Sequence, residues 1–506
     1  MFVPWLVAFI AVLSAQVESA KILGIFWTFG RSHYITGSVL LKTLAASGHE
    51  VHVLSSVEDD TNIPNFKHEL LTGIQGPDIL NKNKSVISHI VEFIPLLNNN
   101  VEKFWKNEAV KRLIKTKPKY DVVIVLTVFN DFVLALSHYL EAPTIIYSAM
   151  STNIFNNKYV ANPNLPYGEN MVIPLNTFIG RLSYISMNVI MSAADRYVLG
   201  SIQNEITKKY LPGAPSVEEL IKNVTLVLVN THFSIESPRP YVPNMIQIGG
   251  FHSQKIKKLP EDLQKYLDSA KDGAILFSMG SVVKVGENIP EEQLNIIMTG
   301  LGKIAPIKVL FKSEVEIQTA PKNVLVSKWL PQNDILAHPN LKVFISHGGL
   351  GSTTEAVYHG VPLLGIPFFG DQKTNIASVI KAGFTIGLDH DKMTQETFDS
   401  AIRELLTNST YAANAKKRSS LFKNQPVKPL DNAIWWVEHI IEHKGGQHLR
   451  NVGMDLEWYQ LYMVDIMLFF VVVITTILVI SFFVTRWMMR KVFKLFSQNP
   501  KKVKKQ

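Results

Sequence analysis

Short apolar runs alternate with helical patterns along most of the chain. Residues 22–27 (ILGIFW) form an apolar run, the polar loop TFGRSH follows, and a helical pattern then extends from Tyr34 to Ser47. GHEVHVLS adds a turn and a second strand, and YDVVIVLTV, PTIIYS and residues 224–229 are typical of buried strands. Strand, loop, helix and strand in this order predict a parallel α/β domain.

A proline-rich segment at residues 237–244 (SPRPYVPN) interrupts this alternation before it starts again. The second series of predicted strands lies in AILFSMGS, KVLFK, LVSKWLP, KVFISHGG and VPLLGIP. The sequence therefore predicts an α/β fold with two Rossmann-like domains, at residues 21–245 and 246–450. Ligands of such sheets bind at the carboxyl ends of the strands.

Both ends of the chain carry apolar segments. Residues 1–20 combine an apolar run with small residues near Ser19 and Ala20, which favours a cleaved signal peptide over a buried strand or helix. Residues 466–484 contain no charge, and as a helix they would span roughly 28 Å, which favours a transmembrane helix over a buried core helix.

The basic charge of the chain is concentrated in its tail. The formal net charge is +9, yet residues 485–506 carry eight Lys or Arg and no acid, so the body is nearly neutral. This disfavours a nucleic-acid-binding body, which needs a basic face on the fold itself. By the positive-inside rule the tail is cytosolic and the body lies across the membrane. The final KKVKKQ is similar to a dilysine signal for the endoplasmic reticulum, or it holds the tail on anionic lipid.

The absence of cysteine excludes disulfides, thiolate metal sites and cysteine nucleophiles. Asn83, Asn223 and Asn408 each begin an Asn-x-Ser/Thr glycosylation triplet, which is weak evidence alone.

The densest chemical signal lies at residues 329–376. The predicted strand KVFIS ends at Ser346, HGGLGS supplies three glycines, and a helix is expected near Ser352. Glycines and a helix N-terminus together favour a pyrophosphate cradle, to which His347 could add a donor. Alternatively, Ser352 and Glu355 form a capping box that needs no ligand.

Other residues of this segment also have two interpretations. Trp329 could stack on a base or belong to the core. Asp371 and Gln372 could hold sugar hydroxyls, or Asp371 could cap a helix.

His33 is the favoured general base among the 15 histidines, because it lies at the start of the first predicted helix. A helix N-terminus disfavours imidazolium and so keeps the ring able to accept a proton. The alternative is a solvated loop histidine.

The segment at residues 329–376, together with FSMGS, QPVKPLDNAIWWVEHIIEHKGGQHLR, the signal peptide, the apolar helix and the lysine tail, resembles the UDP-glycosyltransferase superfamily. The resemblance is to its membrane-bound animal branch of UDP-glucuronosyltransferases and UDP-glucosyltransferases, and the sequence looks more like insect-type members. It implies the GT-B arrangement, with an N-terminal acceptor-binding domain facing a C-terminal UDP-sugar-binding domain. It also implies donor-binding roles for Trp329 (uracil stacking), Gln332 (uracil edge), Ser281, His347, Gly349 and Ser352 (pyrophosphate), Glu355 (ribose), and Asp371 and Gln372 (donor sugar). Gly351 departs from the family, in which Asn is usual.

The resemblance places the catalytic base at His33 and expects an aspartate to orient it. A gapless match puts Leu126 at that position, so we predict the nearest loop carboxylate, Asp131, as the partner. The alternative is that Asp131 caps the helix DFVLALSHYL, which would leave the pair incomplete. Asp121 lies at the opposite end of the strand.

The expected reaction is inverting transfer of a hexosyl group, with glucose favoured over glucuronic acid, to a hydroxyl of a small lipophilic acceptor. The alternatives are a non-catalytic UDP-sugar-binding membrane protein and a sugar-nucleotide epimerase of the same fold. No metal or other cofactor is expected, because a helix dipole, His347 and backbone amides can stabilise the departing UDP and the sequence has no DxD-like run in a phosphate loop; Asp59-Asp60 is an isolated acidic pair. We expect a single-pass protein of the endoplasmic reticulum membrane with a lumenal body, and a homo- or hetero-oligomer is possible. Residues 425–450 are expected to pack back toward the N-terminal domain.

Overall fold

A computed structural model of the protein describes residues 19–76, 86–164 and 175–497, with side chains described from residue 92 onward in the helix that begins at Val86, and without that of residue 496. The predicted signal peptide, except for its last two residues, Asn83 and the end of the basic tail lie outside the described residues.

The first lobe is built on a parallel sheet of seven strands in the order β3-β2-β1-β4-β5-β6-β7. These strands are β1 Lys21–Phe26, β2 Glu50–Ser55, β3 Phe66–Leu70, β4 Val122–Leu126, β5 Thr144–Ser148, β6 Val224–Val229 and β7 Met245–Gln247. The runs of apolar residues in β1, β4 and β5 are buried, as a sheet covered on both faces requires.

The second lobe repeats this topology with six parallel strands in the order β10-β9-β8-β11-β12-β13. They are β8 Ala274–Ser278, β9 Lys308–Lys312, β10 Val324–Ser327, β11 Leu341–Ser346, β12 Leu363–Gly365 and β13 Thr385–Gly387. The predicted α/β fold of two Rossmann-like units is confirmed. The sequence patterns missed β3, β7 and β13.

Helices cover both faces of the two sheets. Those of the first lobe are α1 Arg31–Ala46, α2 Val86–Lys106, α3 Glu108–Thr116, α4 Leu134–Tyr139, α5 Ile154–Asn157, α6 Phe178–Ala193, α7 Gly200–Tyr210 and α8 Val217–Lys222, with a π-helical turn at Ala194–Leu199 between α6 and α7. Those of the second lobe are α9 Glu261–Asp268, α10 Val285–Asn288, α11 Glu291–Lys303, α12 Gln332–Leu336, α13 Leu350–His359, α14 Gln372–Lys381, α15 Gln395–Thr407 and α16 Ser409–Lys423.

The last helix of this body, α17 (Pro429–Glu442), returns to the first lobe. Its Leu430, Val437 and Ile440 are buried in the same core cluster as Ile22 and Leu126 of the first sheet. The expectation that residues 425–450 pack back toward the N-terminal domain is therefore confirmed.

Residues 451–506 form a separate compact unit, which contains the short α18 (Trp458–Leu461) and the long α19 (Val464–Ser497). The most apolar 18-residue window within residues 464–495 of α19 has a mean hydropathy of 3.0, and the helix includes the predicted span at 466–484. By length and composition, α19 is the one helix of the described chain that could cross a membrane.

The strand order reverses direction between β1 and β4 in the first sheet, and between β8 and β11 in the second. Loops that leave neighbouring strands at such a switch point diverge and open a crevice at the carboxyl edge of the sheet. The loops after β1 and β4, and those after β8 and β11, are therefore the places where the topology puts a site.

Candidate active site

His33 lies in the first turn of α1, directly after the loop that leaves β1 at the first switch point. Its ring packs over Gly30, where a Cβ atom would approach Nδ1 to 2.9 Å. Nδ1 is buried and accepts or donates no hydrogen bond within the described chain. Burial lowers the pKa of His33 to about 4, so the ring is neutral near pH 7 and able to take a proton.

Asp131 does not contact His33, in contrast to the predicted pairing. Its Oδ2 accepts a hydrogen bond from Lys158 at 2.5 Å, and its Oδ1 accepts one from the Tyr159 hydroxyl. Asp131 does not cap the helix either, which was the alternative interpretation. Asn130 occupies the N-cap position of the turn Asp131–Val133, and no side chain makes a capping hydrogen bond there. The sequence placed this carboxylate at the correct edge of the sheet but could not reveal Lys158, which binds it from 27 residues further along the chain.

The second switch point forms a glycine-rich loop around one imidazole. Gly280 after β8 and Gly348 after β11 have φ angles of 75° and 82°, a conformation that favours glycine. The His347 ring lies against Gly280 and Gly349, where added Cβ atoms would approach its ring atoms to 2.6 Å. Burial, assisted by Lys312, lowers the pKa of His347 to about 4. Ser281 is exposed on the turn next to this ring.

The capping-box interpretation of Ser352 and Glu355 is wrong. The helix α13 begins at Leu350 with Gly349 as its cap, so Ser352 lies inside the first turn. The Gln332 amide instead donates to Ser352 Oγ at 3.1 Å and to Glu355 Oε2 at 2.6 Å. Burial raises the pKa of Glu355 to about 7. The structure thus joins three residues that the sequence assigned to nucleotide binding.

Trp329 is 65% exposed, which rejects the interpretation that it is a core residue. It stands three residues before Gln332, the first residue of α12, whose amide belongs to the network with Ser352 and Glu355. An exposed aromatic ring of this kind can stack on a base.

Asp371 and Gln372 lie at the start of α14, and the Asp371 side chain does not cap that helix. Asn375 donates to Asp371 Oδ2 at 2.9 Å and to the Gly348 carbonyl oxygen at 3.1 Å, and so connects Asp371 to the glycine loop. Gln372 is buried, and its Oε1 accepts from the backbone of Phe368 and Phe369. The sequence reasoning missed Asn375, although it stands four residues after Asp371 on the same helix face.

The two switch points approach each other through Thr36 of α1 and Gly351 of α13. A Cβ atom at Gly351 would lie 4.0 Å from Thr36 Cγ2. Thr36 also contacts the Tyr147 hydroxyl at 2.8 Å. The helix that carries His33 therefore meets the helix of the glycine loop, which is the arrangement needed to bring two substrates together.

Within the described chain, one cluster of side chains, that of Asp389, His390 and Asp391, has the residue types and spacing that could bind a metal ion without rearrangement. Donor atoms of Asp389, His390 and Asp391 lie within 4.8 Å of one another after β13, but both acids are exposed, as such groups often are without a metal.

Comparisons with known proteins agree with this geometry. Residues 56–499 match a family model described as "UDP-glucoronosyl and UDP-glucosyl transferase". The chain is 33% identical to UDP-glucosyltransferase 2 of Dactylopius coccus over 92% of this chain and 93% of that protein. It is 31% identical to UDP-glucuronosyltransferase 2C1 of Oryctolagus cuniculus over 89% and 95%.

Solved glycosyltransferases share the fold. The glycosyltransferase VinC in complex with DTDP superposes with a TM-score of 0.57 at 16% identity, over 84% of this chain and all of VinC. The spinosyn forosaminyltransferase SpnP gives 0.58 at 17%, over the same shares.

Proposed function

The chain belongs to the UDP-glucuronosyl and UDP-glucosyl transferase family, and from that premise we propose that it transfers glucose from UDP-glucose to a hydroxyl of a small lipophilic acceptor. The observation that carries the proposal is a neutral, half-buried histidine at the first switch point whose helix contacts the helix of the glycine loop.

In the proposed reaction the His33 imidazole removes the acceptor hydroxyl proton. The acceptor oxygen then forms a bond to C1 of the sugar while the bond from C1 to the β-phosphate oxygen breaks, and UDP leaves with the electron pair. A single displacement of this kind inverts the anomeric carbon. His33 ends as imidazolium, and its proton is lost to solvent after product release.

The donor-side residues stabilise the departing UDP. Backbone amides of the loop at residues 347–349 and the N-terminus of α13 face the place where negative charge grows. Trp329 stacks on uracil, Gln332 contacts its edge, and Glu355 accepts the ribose hydroxyls. Ser281, His347, Gly349 and Ser352 contact the pyrophosphate, and Asp371 and Gln372 hold the sugar.

A second candidate is a UDP-sugar-binding protein without transferase activity. It is favoured by one observation: within the described chain no carboxylate pairs with His33, so the imidazolium lacks the partner that the family uses.

The two candidates are separated by incubating the full-length protein with UDP-glucose or UDP-glucuronate and a panel of phenols. Mass spectrometry should find a hexose added to the acceptor, abolished in His33→Ala and retained in His138→Ala, an exposed histidine of the same lobe. Addition of a hexuronic acid would overturn the choice of glucose. If no conjugate forms with either donor, the transferase proposal is refuted and the second candidate, a UDP-sugar-binding protein without transferase activity, is favoured.

We also propose that α19 anchors the protein in the endoplasmic reticulum membrane, with the body lumenal and the basic tail cytosolic. The support is the apolar length of α19, followed by Arg and Lys residues. In that place a conjugating enzyme would serve detoxification of lipophilic compounds.

A further inference from the structure

Three histidines lie together on the surface near the end of the two-lobed body. His439 is in the last turn of α17, His443 directly follows that helix, and His448 is in a short 3-10 turn at Gln447–Leu449. The ring centroids of His439 and His443 lie 4.4 Å apart, and that of His448 lies 5.2 Å and 5.7 Å from them. His439 is half-buried, whereas His443 and His448 are exposed. These three residues form the histidine cluster.

The turn that carries His448 is held against the first lobe. Gly446 is buried, and a Cβ atom there would approach Thr225 Cγ2 to 2.6 Å, so the backbone passes directly over the end of the first sheet. Leu449 packs against the core of the same lobe. Backbone and core contacts therefore bring His448 back to the face of α17 that carries His439.

Two ring nitrogens of the cluster have the separation of ligands on one metal ion. Nε2 of His439 lies 3.0 Å from Nε2 of His448, and the Trp435 indole stacks on the His439 ring with 4.9 Å between the centroids. Two imidazole nitrogens bound to one Zn²⁺ at about 2.0–2.1 Å lie about 2.9–3.4 Å apart when the angle at the metal is between about 90° and 109°. A tilt of each ring by about 40° therefore converts the hydrogen-bonded pair into a chelate.

His443 supplies the third nitrogen. It stands four residues after His439, and two histidines at this spacing on a helix lie on one face and can bind one metal ion. Because His443 is exposed, its ring has room to turn toward the other two. Glu442 interacts electrostatically with His439, and its negative charge offsets the charge of a bound cation.

The ligand types of the cluster decide which metal ions it suits. Imidazole nitrogens bind Zn²⁺, Cu²⁺ and Ni²⁺ well, whereas Mg²⁺ and Ca²⁺ prefer oxygen ligands. Zn²⁺ takes four ligands in a tetrahedral arrangement, and three of these can be imidazoles.

The cluster lies at the opposite edge of the first sheet from the candidate active site. Thr225, against which Gly446 packs, is the second residue of β6. Glu438 Oε1, on α17, lies 3.4 Å from Nε2 of His49, which directly precedes β2. These contacts are at the amino ends of strands, whereas His33 follows the carboxyl end of β1. A metal ion in the cluster therefore takes no part in the proposed transfer reaction.

We propose that the histidine cluster is a binding site for a divalent transition metal ion, in which His439, His443 and His448 hold Zn²⁺ and a water molecule completes the coordination. The bound ion links the end of α17 to the turn at Gln447–Leu449. It thereby fixes the last turn of the body, and it stands or falls independently of the transferase function.

Isothermal titration calorimetry with zinc chloride tests the proposal on the full-length protein in detergent, near neutral pH and without a polyhistidine tag. One Zn²⁺ should bind per chain, and magnesium chloride should give no binding. His439→Ala, His443→Ala and His448→Ala should each weaken zinc binding by about tenfold or more, because each removes a ligand. His138→Ala, which removes an exposed histidine of the same lobe outside the cluster, should bind zinc as the unmodified protein does.

The absence of zinc binding to the unmodified protein would overturn the proposal, and this result does not depend on the folding of any variant. The competing site is the group after β13. Zinc affinity that is unchanged in His439→Ala and lost in the double variant Asp389→Asn, Asp391→Asn would therefore also overturn the proposal.

Hydrogen exchange measured by mass spectrometry supplies a structural readout. Zinc should slow amide exchange in residues 440–449 of the unmodified protein, because the ion ties the turn to the helix, and should not do so in His448→Ala. Zinc binding that leaves the exchange of these residues unchanged would refute the assignment of the ion to the histidine cluster.

Discussion

The affinity for UDP-glucose should depend on pH through the carboxyl group of Glu355, which the proposed function places at the ribose. Burial raises its pKa to about 7, and its ionised form accepts hydrogen bonds at both oxygens, whereas the protonated form is a weaker acceptor and gives one oxygen a proton. The raised pKa means that Glu355 is protonated in the free protein below pH 7. Binding therefore weakens as the pH falls through 7 and reaches its full strength above it.

The magnitude follows from the ionised fraction. With a pKa near 7, about one molecule in eleven is ionised at pH 6 and about ten in eleven at pH 8, so the apparent Kd should be about tenfold weaker at pH 6. His33, His347 and His252, the last with Nε2 3.9 Å from Glu355 Oε1, each have a pKa near 4 and do not titrate in this window.

Isothermal titration calorimetry with UDP-glucose at pH 6, 7 and 8, without acceptor, measures this effect. UDP-glucose is preferred to UDP because its diphosphate is esterified at both ends and does not titrate near pH 7. Glu355→Gln should bind weakly and with the same Kd at every pH. Glu236→Gln is the matched control, since burial also raises the pKa of Glu236 to about 7, but Glu236 lies in the first lobe. A Kd that changes less than about threefold between pH 6 and 8, or a tenfold change that survives in Glu355→Gln, would refute the reasoning.

Three further substitutions test the donor site and the core. Trp329→Ala should weaken UDP-glucose binding by about 1–3 kcal/mol without lowering the melting temperature, because the indole is 65% exposed; unaltered calorimetric affinity would contradict uracil stacking. Phe422→Ala removes a fully buried ring whose centroid lies 4.0 Å from that of His232, and it should lower the free energy of unfolding, measured in urea, by about 3–5 kcal/mol. Phe178 is exposed, so the control Phe178→Ala should change this free energy by less than about 0.5 kcal/mol. Gly351→Ala should raise the free energy of unfolding by roughly 0.5–1 kcal/mol, because alanine favours a helix over glycine and its Cβ would fit 4.0 Å from Thr36 Cγ2. A lower free energy of unfolding would show that α1 and α13 pack too closely for a Cβ atom.

The sequence predicted those features that depend on local pattern. Buried apolar runs revealed most strands, and the glycines after β11 revealed the loop around His347, because a positive φ and close backbone approach leave few alternatives to glycine. Strands β3 and β7 were missed because FKHEL has three consecutive polar residues at a sheet edge and MIQ is only three residues long.

Features that depend on distant partners were beyond the sequence. The spacing of Ser352 and Glu355 matches a capping box, and only the position of Gly349 and the reach of Gln332 show that both side chains serve another network. Likewise, Asp131 follows a buried strand as the pattern required, but its neighbours are set by Lys158, 27 positions later.

The route of the chain between the lobes has a mechanical consequence. The second sheet lies between β7 and α17 in the chain, and both of these elements pack with the first sheet, so the second lobe is a chain insertion attached at two points. Two attachments act as a pair of pivots and restrict the lobe to rotation about one axis. The second lobe can then rotate toward and away from the first lobe without a break in either connection.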